Sequence, residues 1–222
     1  MGRFLLLFDL DGTLVDTLPD LTNALNEVLS ERGHAPLSPA DVKPMVGDGM
    51  AMLLRRGFAA RGATPAEAEA MQPRFIAVYE AAATRLSRPY PGVAETLAAL
   101  RRAGYATAVC TNKPQHATGA VLRGTGLDTL FDGWAGGDRF AVRKPDPGHL
   151  LSLVAALGGE AARAAMIGDS ENDALAAHAA GLPLFLMRYG YARADVATLG
   201  PACVLDRFAE LPAALAGRDL NP

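Results

Sequence analysis

An α/β chain with a doubly wound parallel sheet, and an all-helical segment set into it after the first strand, is the fold class that the sequence predicts. Three observations carry this. The opening run Phe4-Leu5-Leu6-Leu7-Phe8 is continuously apolar, as in strands buried on both faces. From Val93 onward, strand-like and helix-like stretches alternate, which implies parallel pairing. From about Asp16 to Leu86 the helical signals run without a convincing strand between them.

Taken in order, the first strand ends where Asp9, Asp11 and Gly12 begin a polar turn. In the inserted segment, Leu21, Leu25, Val28 and Leu29 recur at helical spacing before Gly33, a glycine stop. Ser38-Pro39 and Thr64-Pro65 each join a capping hydroxyl to a first-turn proline, so each begins a helix. Arg88-Pro89-Tyr90-Pro91-Gly92 reads as a stiff, turn-rich return. Helices are expected over 93–103, 115–123, 147–157 and 171–180, and strands over 105–110, 131–135, 164–167, 184–187 and 202–205. The insertion, about 70 residues long, exceeds an ordinary connection. The expected division is a sheet body of residues 1–15 and 87–222 and a helical cap of residues 16–86. A cap in that place overhangs the carboxyl ends of the strands, where ligands bind in open α/β sheets.

The chain has 222 residues, half of them hydrophobic and a fifth charged, which excludes a disordered chain. The net charge of −3 gives no support for a nucleic-acid or anionic-membrane partner. The first apolar run is too short to span a bilayer, and Cys110 and Cys203 cannot make a disulfide framework. The expectation is a cytoplasmic monomer or homodimer acting on a small molecule.

Four polar clusters stand out, and three of them each follow a separate apolar strand. In Asp9-Leu10-Asp11-Gly12-Thr13, Asp9 suits nucleophilic attack on phosphorus, and Asp11 suits proton transfer to the leaving oxygen and from water. Gly12 lets the backbone curl and present amides to an anion. A capped turn explains the same residues about as well. Thr111-Asn112 offers phosphoryl donors, though a helix N-cap is the commoner use of such a pair. Lys144 stands before two prolines in Lys144-Pro145-Asp146-Pro147, and Lys43, Lys113 and Lys144 are the only lysines against 18 arginines. Gly168-Asp169-Ser170, with Asp173 beyond it, could complete an all-oxygen site suited to Mg²⁺. In a parallel sheet these strand ends share one edge, and that common placement raises weak signals into a site.

These four motifs, present in order, resemble those of the haloacid dehalogenase superfamily of phosphohydrolases, whose core is a Rossmann-like sheet. The resemblance covers essentially the whole length. It implies that Asp9 is the nucleophile and Asp11 the general acid/base, with Thr111 and Lys144 completing the catalytic group. It implies phosphate contacts from Leu10, Gly12, Thr13, Asn112 and Lys144. Mg²⁺ is expected on Asp9, Asp169 and the carbonyl of Asp11, supported by Ser170 and Asp173. Val46-Gly47-Asp48-Gly49, Thr111-Asn112-Lys113-Pro114, Gly136-Gly137-Asp138 and Arg188-Tyr189-Gly190-Tyr191 are most similar to phosphoglycolate phosphatases with a small helical cap. The expected reaction is hydrolysis of 2-phosphoglycolate to glycolate and phosphate. Another small phosphomonoester, a sugar-phosphate mutase and a phospho-accepting receiver module are the alternatives. The substrate carboxylate is expected to meet the amides of the Val46–Gly49 turn or a cap cation, Lys43, Arg55 or Arg56, with Arg55 as the candidate binding residue.

Overall fold

A computed structural model describes residues 3–222. In chain order the elements are β1 (Leu5–Phe8), β2 (Val15–Asp16), α1 (Leu18–Glu31), α2 (Pro39–Val42), α3 (Met50–Ala59), α4 (Pro65–Ala82), β3 (Arg88–Pro89) and α5 (Val93–Arg102). They continue with β4 (Ala106–Cys110), α6 (Gln115–Gly124), β5 (Gly133–Ala135), α7 (Pro147–Ala156), β6 (Ala164–Gly168), α8 (Glu171–Ala180), β7 (Leu184–Met187), β8 (Cys203–Leu205) and α9 (Leu211–Ala216). The main sheet has six strands in the order β5-β4-β1-β6-β7-β8, and every pairing in it is parallel. This is the predicted doubly wound sheet.

β1 lies at its centre, paired on one side to β4 (Leu5 beside Ala106) and on the other to β6 (Leu5 beside Ala164). Its unbroken apolar run follows from that position, because alternate side chains face opposite layers. Leu6 and Phe8 enter the core that also holds Val93 and Leu97 of α5 and Leu211 and Leu215 of α9. Leu5 and Leu7 enter the other, with Leu150, Leu153 and Val154 of α7 and Ala174 and Ala177 of α8.

The inserted helices start where the capping residues predict. Ser38 and Asp41 form a reciprocal capping box on α2, and the Thr64 hydroxyl accepts from the Glu67 N–H at the start of α4. The expected periodic face of α1 is buried at Leu21, Leu25, Val28 and Leu29. Leu25, Phe58 of α3 and Phe75 of α4 belong to one continuous apolar cluster with Leu6 and Phe8 of the sheet. Among the described residues no helix is long and apolar enough to cross a membrane.

Three elements depart from expectation. Val15 and Asp16 form β2, antiparallel to Arg88 and Pro89 of β3, where the sequence reads only a turn-rich return. Two-residue strands carry no periodicity to detect. This pair joins the two ends of the inserted segment, and the buried Asp20 carboxylate reinforces it by accepting from the Ser87 N–H and hydroxyl at 2.8 and 2.6 Å. Helix α9, not foreseen, follows the last strand and packs Leu211 and Leu215 against the sheet.

The shared apolar cluster makes a prediction. Leu25→Ala opens a cavity in a side chain with no exposed surface, which typically costs about 2–5 kcal/mol. In urea, the single tryptophan, Trp134 of β5, and the far-ultraviolet helix signal are expected to lose their midpoints together. A helix transition that separates from the Trp134 transition would show that the cluster does not couple the two regions.

Candidate active site

At the carboxyl end of β1 the Asp9 N–H still donates to the Ile167 carbonyl at 2.9 Å, so the sheet holds Asp9 rigidly. The chain then curls: the Leu10 carbonyl accepts from the N–H groups of Thr13, Leu14 and Val15. Gly12 lies at φ 86°, in the left-handed region that glycine enters without penalty. A Cβ there would stand 2.4 Å from Asp169 Oδ2, so the close approach of two loops also excludes a side chain.

Lys144 organises the charges. Its Nζ lies 3.1 Å from Asp9 Oδ1 and 2.6 Å from Asp173 Oδ1, with only 1% of the lysine side chain exposed. Its own backbone is held twice: Asn112 Nδ2 donates to the Lys144 carbonyl at 2.9 Å, and the Lys144 N–H donates to His149 Nδ1 at 3.3 Å. His149 Nε2 donates to the Gly136 carbonyl. Burial first, and the Lys144 charge second, push His149 down to about 4, so its ring is neutral at ordinary pH. Burial lowers the Lys144 ammonium, but Asp173 and Asp9 outweigh it and hold its titration above the usual lysine range.

Asp173 is satisfied from both sides. Its Oδ2 accepts from the N–H groups of Asp169 and Ser170 and from the Ser170 hydroxyl, at 3.1, 3.0 and 2.7 Å. Ser170 and Asp173 also form the capping box that starts α8, so one carboxylate caps a helix and orients a lysine. Asp169 Oδ1 accepts from the Thr13 hydroxyl at 2.5 Å, and its Oδ2 from the Tyr191 N–H at 2.6 Å. Burial raises Asp169 well above the ordinary carboxylate range, with the Asp9 charge adding to it. Burial likewise pushes Asp9 up to about 6, against the pull of Lys144.

Carboxylate oxygens of Asp9, Asp169 and Asp173 lie within 4.8 Å of one another. An all-oxygen donor set of this kind suits a hard divalent cation. Burial is the main cause of the raised Asp9 and Asp169 carboxyls, with neighbouring carboxylate charge adding to it, and a bound cation would offset both. Asp173 has donors on both oxygens, whereas Asp9 Oδ2 takes no hydrogen bond among the described residues.

On the other side of Asp9, Asp11 accepts from the Thr17 hydroxyl at 2.7 Å and from Lys113 Nζ at 3.0 and 3.1 Å. The Thr111 hydroxyl accepts from the Lys113 N–H at 3.3 Å, so its own hydrogen is free to donate. Asp9, Asp11, Thr111, Asn112 and Lys113 wall a pocket from the sheet edge, and Leu21, Val46, Met50 and Leu53 close it from the inserted helices.

The structure brings Asp9, Asp11, Thr111, Asn112, Lys144, Asp169, Ser170 and Asp173 together at one edge of the sheet. Thr13 is a correction. Its hydroxyl is bound to Asp169 and its N–H to the Leu10 carbonyl, so it has no donor left for a phosphate. Leu10 and Gly12 direct their N–H groups to Asp9 Oδ1 and to the Val15 carbonyl and act by shaping the turn. Arg55 is also corrected: it pairs with Glu69 where both side chains are about half exposed, away from the pocket. Arg56 is taken by Asp48 at 2.5 Å and by the Met45 carbonyl, and Lys43 sits 5.9 Å over the Tyr191 ring. Two functional positions were missed. One is Lys113, buried in the pocket wall, to which the sequence gives no role; its advance signals are the scarcity of lysine and its place in Thr111-Asn112-Lys113-Pro114. The other is Tyr191, whose N–H holds Asp169 while its hydroxyl accepts from the Thr17 and Leu18 N–H groups and donates to Asp16.

Residues 5–181 match the haloacid dehalogenase-like hydrolase family. The chain belongs to that family. Among curated relatives, a phosphoglycolate phosphatase of Caulobacter vibrioides is 48% identical over 93% of this chain and 88% of its own length. One from Rhodospirillum rubrum is 47% identical over 92% and 88%. The crystal structure of a predicted phosphoglycolate phosphatase from Haemophilus somnus 129PT superposes with a TM-score of 0.91 at 33% identity, covering 96% of this chain and 98% of that one. The family is one of hydrolases, which sets the receiver alternative aside.

The Asp9 carboxyl leads to a stability prediction. An unfolded aspartate titrates near 3.9, and the folded one near 6. Between those values the folded chain binds more protons, so this group's contribution to stability falls as pH rises through the window. In chelator, Asp9→Asn is expected to stabilise the chain by about 1–3 kcal/mol at pH 7.5 and by less at pH 5. Urea midpoints at the two pH values measure this; an equal effect at both would contradict the raised carboxyl.

Proposed function

We propose that the chain is a Mg²⁺-dependent phosphatase of small phosphomonoesters, with 2-phosphoglycolate as its substrate and an aspartyl-phosphate on Asp9 as its intermediate. The observation that carries this reading is the Asp9 carboxylate, anchored at the sheet edge with Oδ2 unbonded among the described residues and Lys144 against its other oxygen. At neutral pH a carboxyl titrating near 6 is mostly ionised and competent as a nucleophile. The names of the relatives support the substrate.

In the first half-reaction Asp9 Oδ2 attacks phosphorus, and the bond from phosphorus to the alkyl oxygen breaks as Asp11 gives that oxygen a proton. In the second, Asp11 takes a proton from water. The water oxygen bonds to phosphorus, and the bond to Asp9 breaks, releasing phosphate. The Thr111 hydroxyl and the N–H groups of Asp11 and Asn112, for which no acceptor occurs among the described residues, are the donors available to non-bridging phosphoryl oxygens. Lys144 adds positive charge there. Asp9, Asp169 and the Asp11 carbonyl would hold Mg²⁺, which supplies further positive charge against the transferring group. Asp173 and Ser170 keep Lys144 and Asp169 in place. Residues 16–86 serve as a cap over residues 1–15 and 87–222. A reducing cytoplasm suits the two free cysteines, Cys110 and Cys203.

Phosphate release across a panel of small phosphorylated metabolites tests the reading. With Mg²⁺, 2-phosphoglycolate is expected to rank first, and no turnover of any phosphomonoester would refute the activity. Asp9→Asn is expected to lose roughly 10³-fold or more in kcat with its melting transition intact, and retained turnover would remove Asp9 as the nucleophile. Activity is also expected to vanish in excess chelator and to return with Mg²⁺ but not Ca²⁺, which accepts looser and higher coordination. Full activity in chelator would exclude the metal.

A further inference from the structure

If 2-phosphoglycolate is the substrate, the site must hold a carboxylate joined through one CH2 group to the oxygen that leaves. The inserted helices do not supply the cation. Arg55 is paired with Glu69, Arg56 with Asp48, and Lys43 is drawn to Tyr191. Arg143 lies beside Gly49 but is exposed and outside the pocket wall. Among the described residues, Lys113 is the one cationic side chain that walls the pocket.

We propose that Lys113, carried by the sheet edge, is the residue that reads the carboxylate of the substrate. Its ammonium is only 1% exposed along the side chain and already stands against Asp11, with the Tyr79 ring 4.5 Å away to fix its position. Asp11 is the group that protonates the leaving oxygen in the reading above, so that oxygen binds within hydrogen-bond reach of Asp11. A carboxylate one carbon further along then falls within reach of an ammonium on the same aspartate. The site already contains this arrangement once. Lys144 holds two carboxylates, Asp9 and Asp173, whereas Lys113 holds one. The substrate's carboxylate is the second partner that gives Lys113 the same coordination. Leu21, Met50 and Leu53 line the pocket opposite, and apolar walls that exclude water make a charged pair selective.

The inference rests on the phosphoglycolate reading, and the test separates the two. Steady-state kinetics are measured with 2-phosphoglycolate and with ethyl phosphate, which has a methyl in place of the carboxylate. The wild type is compared with Lys113→Met and Lys113→Arg. The ratio of kcat/KM for the two substrates is the readout, because it cancels any loss common to both. Lys113→Met is expected to lower that ratio roughly ten- to a hundredfold, mainly through KM for 2-phosphoglycolate, and Lys113→Arg to retain most of it. Lys113→Gln, which keeps a donor for Asp11, replaces the methionine variant where melting shows that variant unfolded. A ratio in the neutral variants within about threefold of wild type, with kcat reduced alike on both substrates, would overturn the inference and leave Lys113 as a support for Asp11. A wild type that turns over both esters but shows no preference for 2-phosphoglycolate would overturn the substrate reading, and this inference with it.

Discussion

The shared ammonium of Lys144 is the contact on which the rest of the site depends. Three carboxylates, Asp9, Asp169 and Asp173, crowd within 4.8 Å, all of them buried, and such a cluster is costly to remove from water. Lys144 neutralises part of it, and backbone donors stabilise the remainder. The consequences spread outward from that point. Asn112 and His149 fix the lysine's backbone, and the cap of α8 fixes Asp173. Glycine is required at Gly168 and Gly190, where a Cβ would come within 2.4 Å of Asp173 and 2.2 Å of Asp169. Ends of β1, β4 and β6 and the loop after β5 are thereby tied through one cation.

A second set of contacts ties the inserted segment to this arrangement. The Gly47 carbonyl accepts from both Asn112 and Asn172, at 3.0 and 3.2 Å. The Asp48 carboxylate meets Asn172, Arg56 and Arg193. Asn112 therefore touches the Val46–Gly49 turn with the same amide that holds Lys144. The position of the turn and the position of Lys144 are mechanically linked through one side chain.

The parts of this molecule that were legible in the sequence are those set by neighbours in the chain. The central strand could be read because burial on two faces leaves an unbroken apolar run. Helix starts could be read from Ser38 and Thr64, whose capping partners lie three residues on. The placement of the three strand-end polar clusters followed from parallel pairing alone. What failed was choice of partner. The Thr13 hydroxyl takes an aspartate 156 positions away, and Lys113 finds Asp11 across 102 positions; no local pattern encodes either. Arg55 failed for the same reason, since Glu69 on the facing helix satisfies it. The β2–β3 pair was invisible because two residues cannot show alternation.

Tyr191 anchors Asp169 by its backbone and the entry to α1 by its hydroxyl, although it stands near the end of the chain. The site therefore has members from residue 9 to residue 191, and none of its charges is balanced within a single local segment. Loops that long must close before their contacts can contribute. On the ribosome, Asp9 and Asp11 emerge long before Asp169 and Tyr191, whose contacts complete the site. A chain cut before the 189–191 segment loses both the N–H that holds Asp169 Oδ2 and the hydroxyl that anchors the entry to α1, so the two loops that meet at Gly12 lose their common tether together.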